Sequence, residues 1–140
     1  MGYIYAIAAA ITWGFVYAID QKILDKISPS LLMLINSIFS ILILLPLFFF
    51  QSDEIRTITS LDKPTLKIIA VSLVFTLIAN LLIYMAIRYM GSSRAAIFEI
   101  AYPFFVVLFS VWMFHTQVNG YFILGAVLLF IGSAIIIVWG

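Results

Sequence analysis

The chain has 140 residues, 66% of them hydrophobic and 9% charged, with a formal net charge of +1 and a mean hydropathy of +1.25. About a quarter of the residues of a soluble domain are charged, so this chain lacks the polar surface to coat a water-soluble globule and reads as an integral, multi-pass membrane protein. The absence of cysteine excludes disulfides, thiolate metal sites and cysteine nucleophiles, and the length suits one small domain with no room for a soluble enzyme module.

A membrane span needs about 20 apolar residues. Five segments qualify, at about 3–20, 30–50, 66–88, 93–115 and 120–139. The expected fold is therefore all-α: a single polytopic domain over 1–140 with five transmembrane helices. The opening run MGYIYAIAAAITWGFVYAI contains a small-residue triplet resembling a signal cleavage site, but it lacks a basic leader and stays apolar beyond that point. It reads as a retained first span, able to continue amphipathically through Leu24. Small residues recur at every fourth position (Gly2, Ala6, Ala10, Gly14, Ala18), a pattern that lets membrane helices approach closely. Trp13, Tyr17 and Asp20 lie along a neighbouring face.

Ser28-Pro29 is a helix-start signal, a capping hydroxyl followed by proline at the first helical position. In the second span, Asn36, Ser37 and Ser40 are weak site candidates, because serine often bonds back to its own helix. The connection Gln51–Thr65 is polar and is expected at the surface, with room for a short interfacial helix. It ends in LDKPT, Leu61–Thr65, a second capping signal. The third span carries Ser72, Thr76, Asn80, Tyr84 and Arg88, each four residues apart. Four residues drift by about 40° on a 3.6-residue helix, so this row is a shallow polar spiral. Polar groups at depth normally face the bundle interior or a wet cavity. Hydrogen bonding between helices suffices for Ser72 and Thr76; Asn80 and Tyr84 are expected to line a cavity.

The fourth span poses the sharpest question. SSRAAIFEIAYPFFVV, Ser92–Val107, holds Glu99 and Pro103 in an otherwise apolar run. Proline has no N–H, and its missing bond would have gone to the carbonyl of Glu99. One residue thus presents both a carboxylate and a freed backbone oxygen, the ingredients from which transporters build cation and substrate sites in discontinuous helices. Tyr102 lies on the same side and its hydroxyl is expected to reach the carboxylate. Two readings stand: a structural ion pair with Arg88, or a carboxylate that exchanges a proton or meets a cationic group. Arg94, about 140° around the helix, is badly placed. His115, the one histidine, reads as an interfacial aromatic or a helix C-cap. Asn119-Gly120 opens the fifth span, where Gly125 and Gly132 form a second close-packing face, usable within the chain or at a dimer seam. No metal-ligand spacing, nucleophile motif or phosphate-cradling loop occurs. No enzyme, cofactor, metal or nucleic-acid partner is expected.

Charge does not decide orientation. Arg56, Lys63 and Lys67 fall on one side of the membrane, against Lys22, Lys26, Arg88 and Arg94 on the other. Either another factor selects one orientation or the chain inserts both ways. Two oppositely oriented copies would form an inverted repeat of the kind common in secondary transporters.

In order along the chain, AITWGFVYAI, LLIYMAIRYMGSSRAAIFEIAYPFFVVLFSVWMF and YFILGAVLLFIGSAIIIVWG resemble the EamA domain of the drug/metabolite transporter superfamily. The resemblance covers nearly the whole chain and rests on the Trp-Gly pair of the first helix, the Tyr-x-Ala late in the third, the proline of the fourth and the Gly-Ala…Gly of the fifth. It implies half of an inverted-repeat, ten-helix transporter, completed by an antiparallel copy of itself or by a sister chain. The function implied is movement of a small metabolite or drug-like molecule by alternating access, by a protein of the cell (plasma) membrane bilayer. Two departures matter. The family often has Gly-Glu where this chain has His115-Thr116, and the glutamate that related four-helix multidrug transporters carry in their first helix is replaced by Thr12-Trp13-Gly14. Any coupling carboxylate would be Glu99. The expected substrate or coupling-ion residues are Glu99, Tyr102, Asn80, Tyr84 and Trp13, with Pro103 as the kink and Gly14, Gly125 and Gly132 at close-packing or dimer contacts. The competing expectation is an accessory membrane subunit of another protein, with no transport of its own.

Overall fold

A computed structural model describes residues 1–49, 57 and 60–139. These are helical almost throughout, with no strand among them. The helices are α1 (Gly2–Leu24), α2 (Pro29–Phe49), α3 (Lys63–Met90), α4 (Ser92–Glu99), α5 (Tyr102–Phe114) and α6 (Gly120–Trp139). Taking α4 and α5 as one interrupted span, five segments are long and apolar enough to cross a membrane. The expected interfacial helix between the second and third spans falls largely outside the described residues.

Local chemistry explains most helix starts. The Oγ of Ser28 accepts the N–H of Leu31 at 3.2 Å, and Pro29 opens α2 without leaving a donor unpaired. Asp62 precedes α3, and its Oδ1 accepts the Thr65 hydroxyl at 2.5 Å. The side chain of Asn119 accepts the N–H of Tyr121 at 3.0 Å to begin α6. At its other end, α5 stops on His115, whose left-handed backbone (φ 52°) turns its N–H onto the Val111 carbonyl. Histidine tolerates that conformation better than bulky or β-branched residues do, and so it serves as the C-cap.

A single residue, Gly91, separates α3 from α4. Gly91 has φ 83° and ψ 158°, a combination essentially confined to glycine. The α3 helix, 28 residues long, extends about 42 Å at 1.5 Å per residue and so exceeds the roughly 30 Å hydrocarbon core.

The chain divides into two compact units. One comprises Met1–Ile19 with Tyr89–Gly140, the other Asp20–Arg88. In the first, Tyr17 and Ala95 are buried, α4 packs on α6, and Phe104 of α5 meets Phe130 of α6 edge to face with centroids 6.1 Å apart. In the second, Leu24, Leu32, Tyr84 and Ile87 are the buried apolar side chains, and Asp20 is buried as well. Nearly all other large apolar side chains are exposed on the single chain, as helices that meet lipid or a partner require.

Candidate functional site

The fourth span is interrupted after Glu99. Residues 100 and 101 form a turn, and the bonding around them tightens to a three-residue step: Ala101 N–H to the Phe98 carbonyl, and Phe104 N–H to the Ala101 carbonyl. Ile100 N–H is shared between the carbonyls of Ala96 and Ile97. Pro103 accounts for the break, because it cannot donate to the Glu99 carbonyl and its ring crowds that same group. A span over 93–115 with its kink at Pro103 was expected; two helices joined by this turn are found.

Glu99 is the last residue of α4, and the hydroxyl that reaches it belongs to Tyr17, not to Tyr102. The Tyr17 Oη donates to Glu99 Oε2 at 2.6 Å. The expected reach of Tyr102 assumed continuous helical spacing, which the turn interrupts. Tyr102 stands at the start of α5 with 62% of its surface exposed. Tyr17 is 9% exposed and its ring meets Trp13 edge to face, centroids 5.8 Å apart. Sequence spacing had put Trp13 and Tyr17 on one face of α1; it carried no signal that this face meets the broken helix. A charge-assisted bond of this length is among the stronger polar contacts, and it ties α1 to the end of α4. The Trp13 ring, half exposed, adds an aromatic surface of the kind that attracts cations.

Beside the break, a groove of about 380 Å³ is lined by Ile100, Pro103, Phe104, Tyr121, Gly125 and Phe130, among others. It is apolar and of a size that holds small ligands. Gly125 thus lies on the wall of a groove. At Gly14, Gly125 and Gly132 an added Cβ would meet no atom within 4 Å, apart from the glycine's own chain neighbours and helix backbone. Among the described residues no close contact uses these glycines.

Asn80 and Tyr84 belong to the other unit. The amide of Asn80 donates to the Thr76 carbonyl of its own helix at 3.0 Å, as Thr76 does to Ser72 at 2.9 Å. Much of the polar spiral is therefore satisfied by back-bonding. Tyr84 is different: it is buried, and its hydroxyl accepts the amide of Asn36 on α2 at 2.8 Å. Ser37 and Ser40 bond back to Met33 and Asn36. Among the described residues no group of three or more His, Cys, Asp or Glu side chains could hold a metal ion.

Five apolar segments long enough to cross a membrane, the fourth interrupted after Glu99, define an integral multi-pass membrane protein. The EamA-like transporter family matches residues 1–138, and the chain belongs to that family, within the drug/metabolite transporter superfamily. No curated protein and no solved structure matches it.

Proposed function

We propose that the chain is a secondary transporter of a small metabolite or drug-like molecule, working by alternating access as an antiparallel homodimer or with a sister chain in the cell (plasma) membrane. Glu99 is the carboxylate that meets the substrate's cationic group or the coupling ion. The observation that carries this reading is the short bond from Tyr17 to Glu99 at the proline-induced break. A carboxylate at membrane depth is costly, and here it is held by a neutral donor at the end of a half-helix. Its full charge stays available to a ligand. Pro103 lets the two halves of the span bend against each other, and Trp13 and Tyr102 supply aromatic surface for a cationic substrate. Asn80 and Tyr84 provide hydrogen-bonding groups on the third span. The open glycines at 14, 125 and 132 suit close approach of a second chain.

The test is flux into liposomes containing the purified chain, with a panel of organic cations and amino acids under an imposed proton or sodium gradient. Concentrative, gradient-dependent uptake that Glu99→Gln abolishes is expected. Flux that never exceeds equilibrium would make the chain a passive pore. Absence of flux alone, together with strict 1:1 co-purification with a different membrane protein, would make it an accessory subunit.

A further inference from the structure

Asp20 has no part in the transport reading, yet among the described residues it is the buried charged group. It lies in the last turns of α1, with 5% of its surface exposed, and its Oδ2 accepts no hydrogen bond from the described residues. A buried carboxylate oxygen without a donor is strongly disfavoured. The position adds to the cost, because the C-terminal end of a helix carries partial negative charge that repels an anion.

The neighbouring cations do not relieve it. Lys22 is two positions on, about 200° around the helix, and is exposed; Lys26, beyond the helix end, and Arg88 of α3 are exposed as well, as is the acidic Asp25. The same compact unit also buries the phenol of Tyr84. That hydroxyl accepts the Asn36 amide at 2.8 Å and still has its own proton and a second lone pair. This unit thus holds two buried side-chain oxygens with spare acceptor capacity, one of them formally anionic.

We infer that Asp20, supported by Tyr84, binds one exchangeable monovalent cation, an alkali metal ion or a proton, at a site distinct from Glu99. A single positive charge on Oδ2 removes the unpaired anion and offsets the repulsion at the helix end. The inference stands whether or not the chain transports anything.

Infrared difference spectroscopy on the full chain in lipid vesicles tests it. Carboxyl-labelled aspartate isolates Asp20, Asp25, Asp53 and Asp62 from the glutamates. One arm exchanges sodium chloride for N-methylglucamine chloride at constant pH; the other steps the pH from mildly acidic to alkaline without sodium. We expect one labelled carboxyl band to respond in at least one arm, with the response lost in Asp20→Asn and kept in Glu99→Gln. A response to sodium assigns a metal ion, and a carboxylic-acid band bleached by alkali assigns a proton. Labelled bands that respond in neither arm would overturn the inference, as would a response that survives Asp20→Asn. Should Asp20→Asn not fold, Tyr84→Phe serves: it leaves the carboxylate in place, and an unchanged ion response there removes Tyr84 from the site.

Discussion

Removing one oxygen, in Tyr17→Phe, isolates the bond that holds the broken span to α1. The ring remains to fill its buried place beside Trp13, while the hydrogen bond to Glu99 at 2.6 Å is lost. Bonds to a charged partner contribute about 1.5–3 kcal/mol and neutral ones about 0.5–1.5 kcal/mol. Glu99 is itself partly exposed, which places the bond near the lower end, at about 1.5 kcal/mol. In a Glu99→Gln background the acceptor is neutral, and the same tyrosine change should cost about 0.5 kcal/mol. The coupling in a double-mutant cycle is then about 1 kcal/mol, a factor of about five in an equilibrium constant. Equilibrium unfolding in mixed detergent micelles measures all four corners. Equal costs of Tyr17→Phe in the two backgrounds would refute the reasoning, for it would mean that the tyrosine stabilises the chain without sensing the carboxylate.

Three other outcomes are expected. Gly91→Ala should destabilise the chain by about 1–3 kcal/mol in the same unfolding assay, because φ 83° with ψ 158° excludes a Cβ; a neutral effect would show that the turn relaxes freely. Gly14→Leu or Gly132→Leu should leave monomer stability within about 0.5 kcal/mol, since open space surrounds each Cβ position, while weakening self-association about tenfold by energy transfer between labelled chains; undiminished association in both would place the dimer seam elsewhere. Asp62 lies outside the spans, and the Thr65 hydroxyl holds its carboxyl below the usual 3.8. A depressed carboxylate pKa contributes stability above the ordinary value that is lost as the pH falls through the lower folded one. Amide exchange in the first turn of α3 should therefore quicken in that acid window, and Thr65→Val should reduce the difference; identical acid sensitivity in both chains would refute the cap.

The all-helical fold was legible because membrane spans are declared by composition over a window, and no tertiary contact is needed to see them. The starts at Ser28, Asp62 and Asn119 were legible for the same local reason: each involves a side chain and a donor, an amide or a hydroxyl, two or three residues away. Pro103 announced the break, since the missing donor is a property of one residue. Sequence could not announce Tyr17 as the partner of Glu99, 82 positions away, because only the approach of two helices creates that contact. Tyr102 was favoured in its place by spacing that holds only on an unbroken helix. Asp20 looked like an ordinary polar residue near a helix end; its burial depends on which neighbours surround it.

Between Phe114 and Gly120 the chain reverses through His115, Thr116, Gln117, Val118 and Asn119, with no lysine, arginine, aspartate or glutamate. Threading that link through the bilayer during biosynthesis moves no formal charge. The link itself therefore gives the insertion machinery no electrostatic handle. Whatever biases the way the chain faces must act elsewhere, on Arg94 and on the charges of the earlier segments.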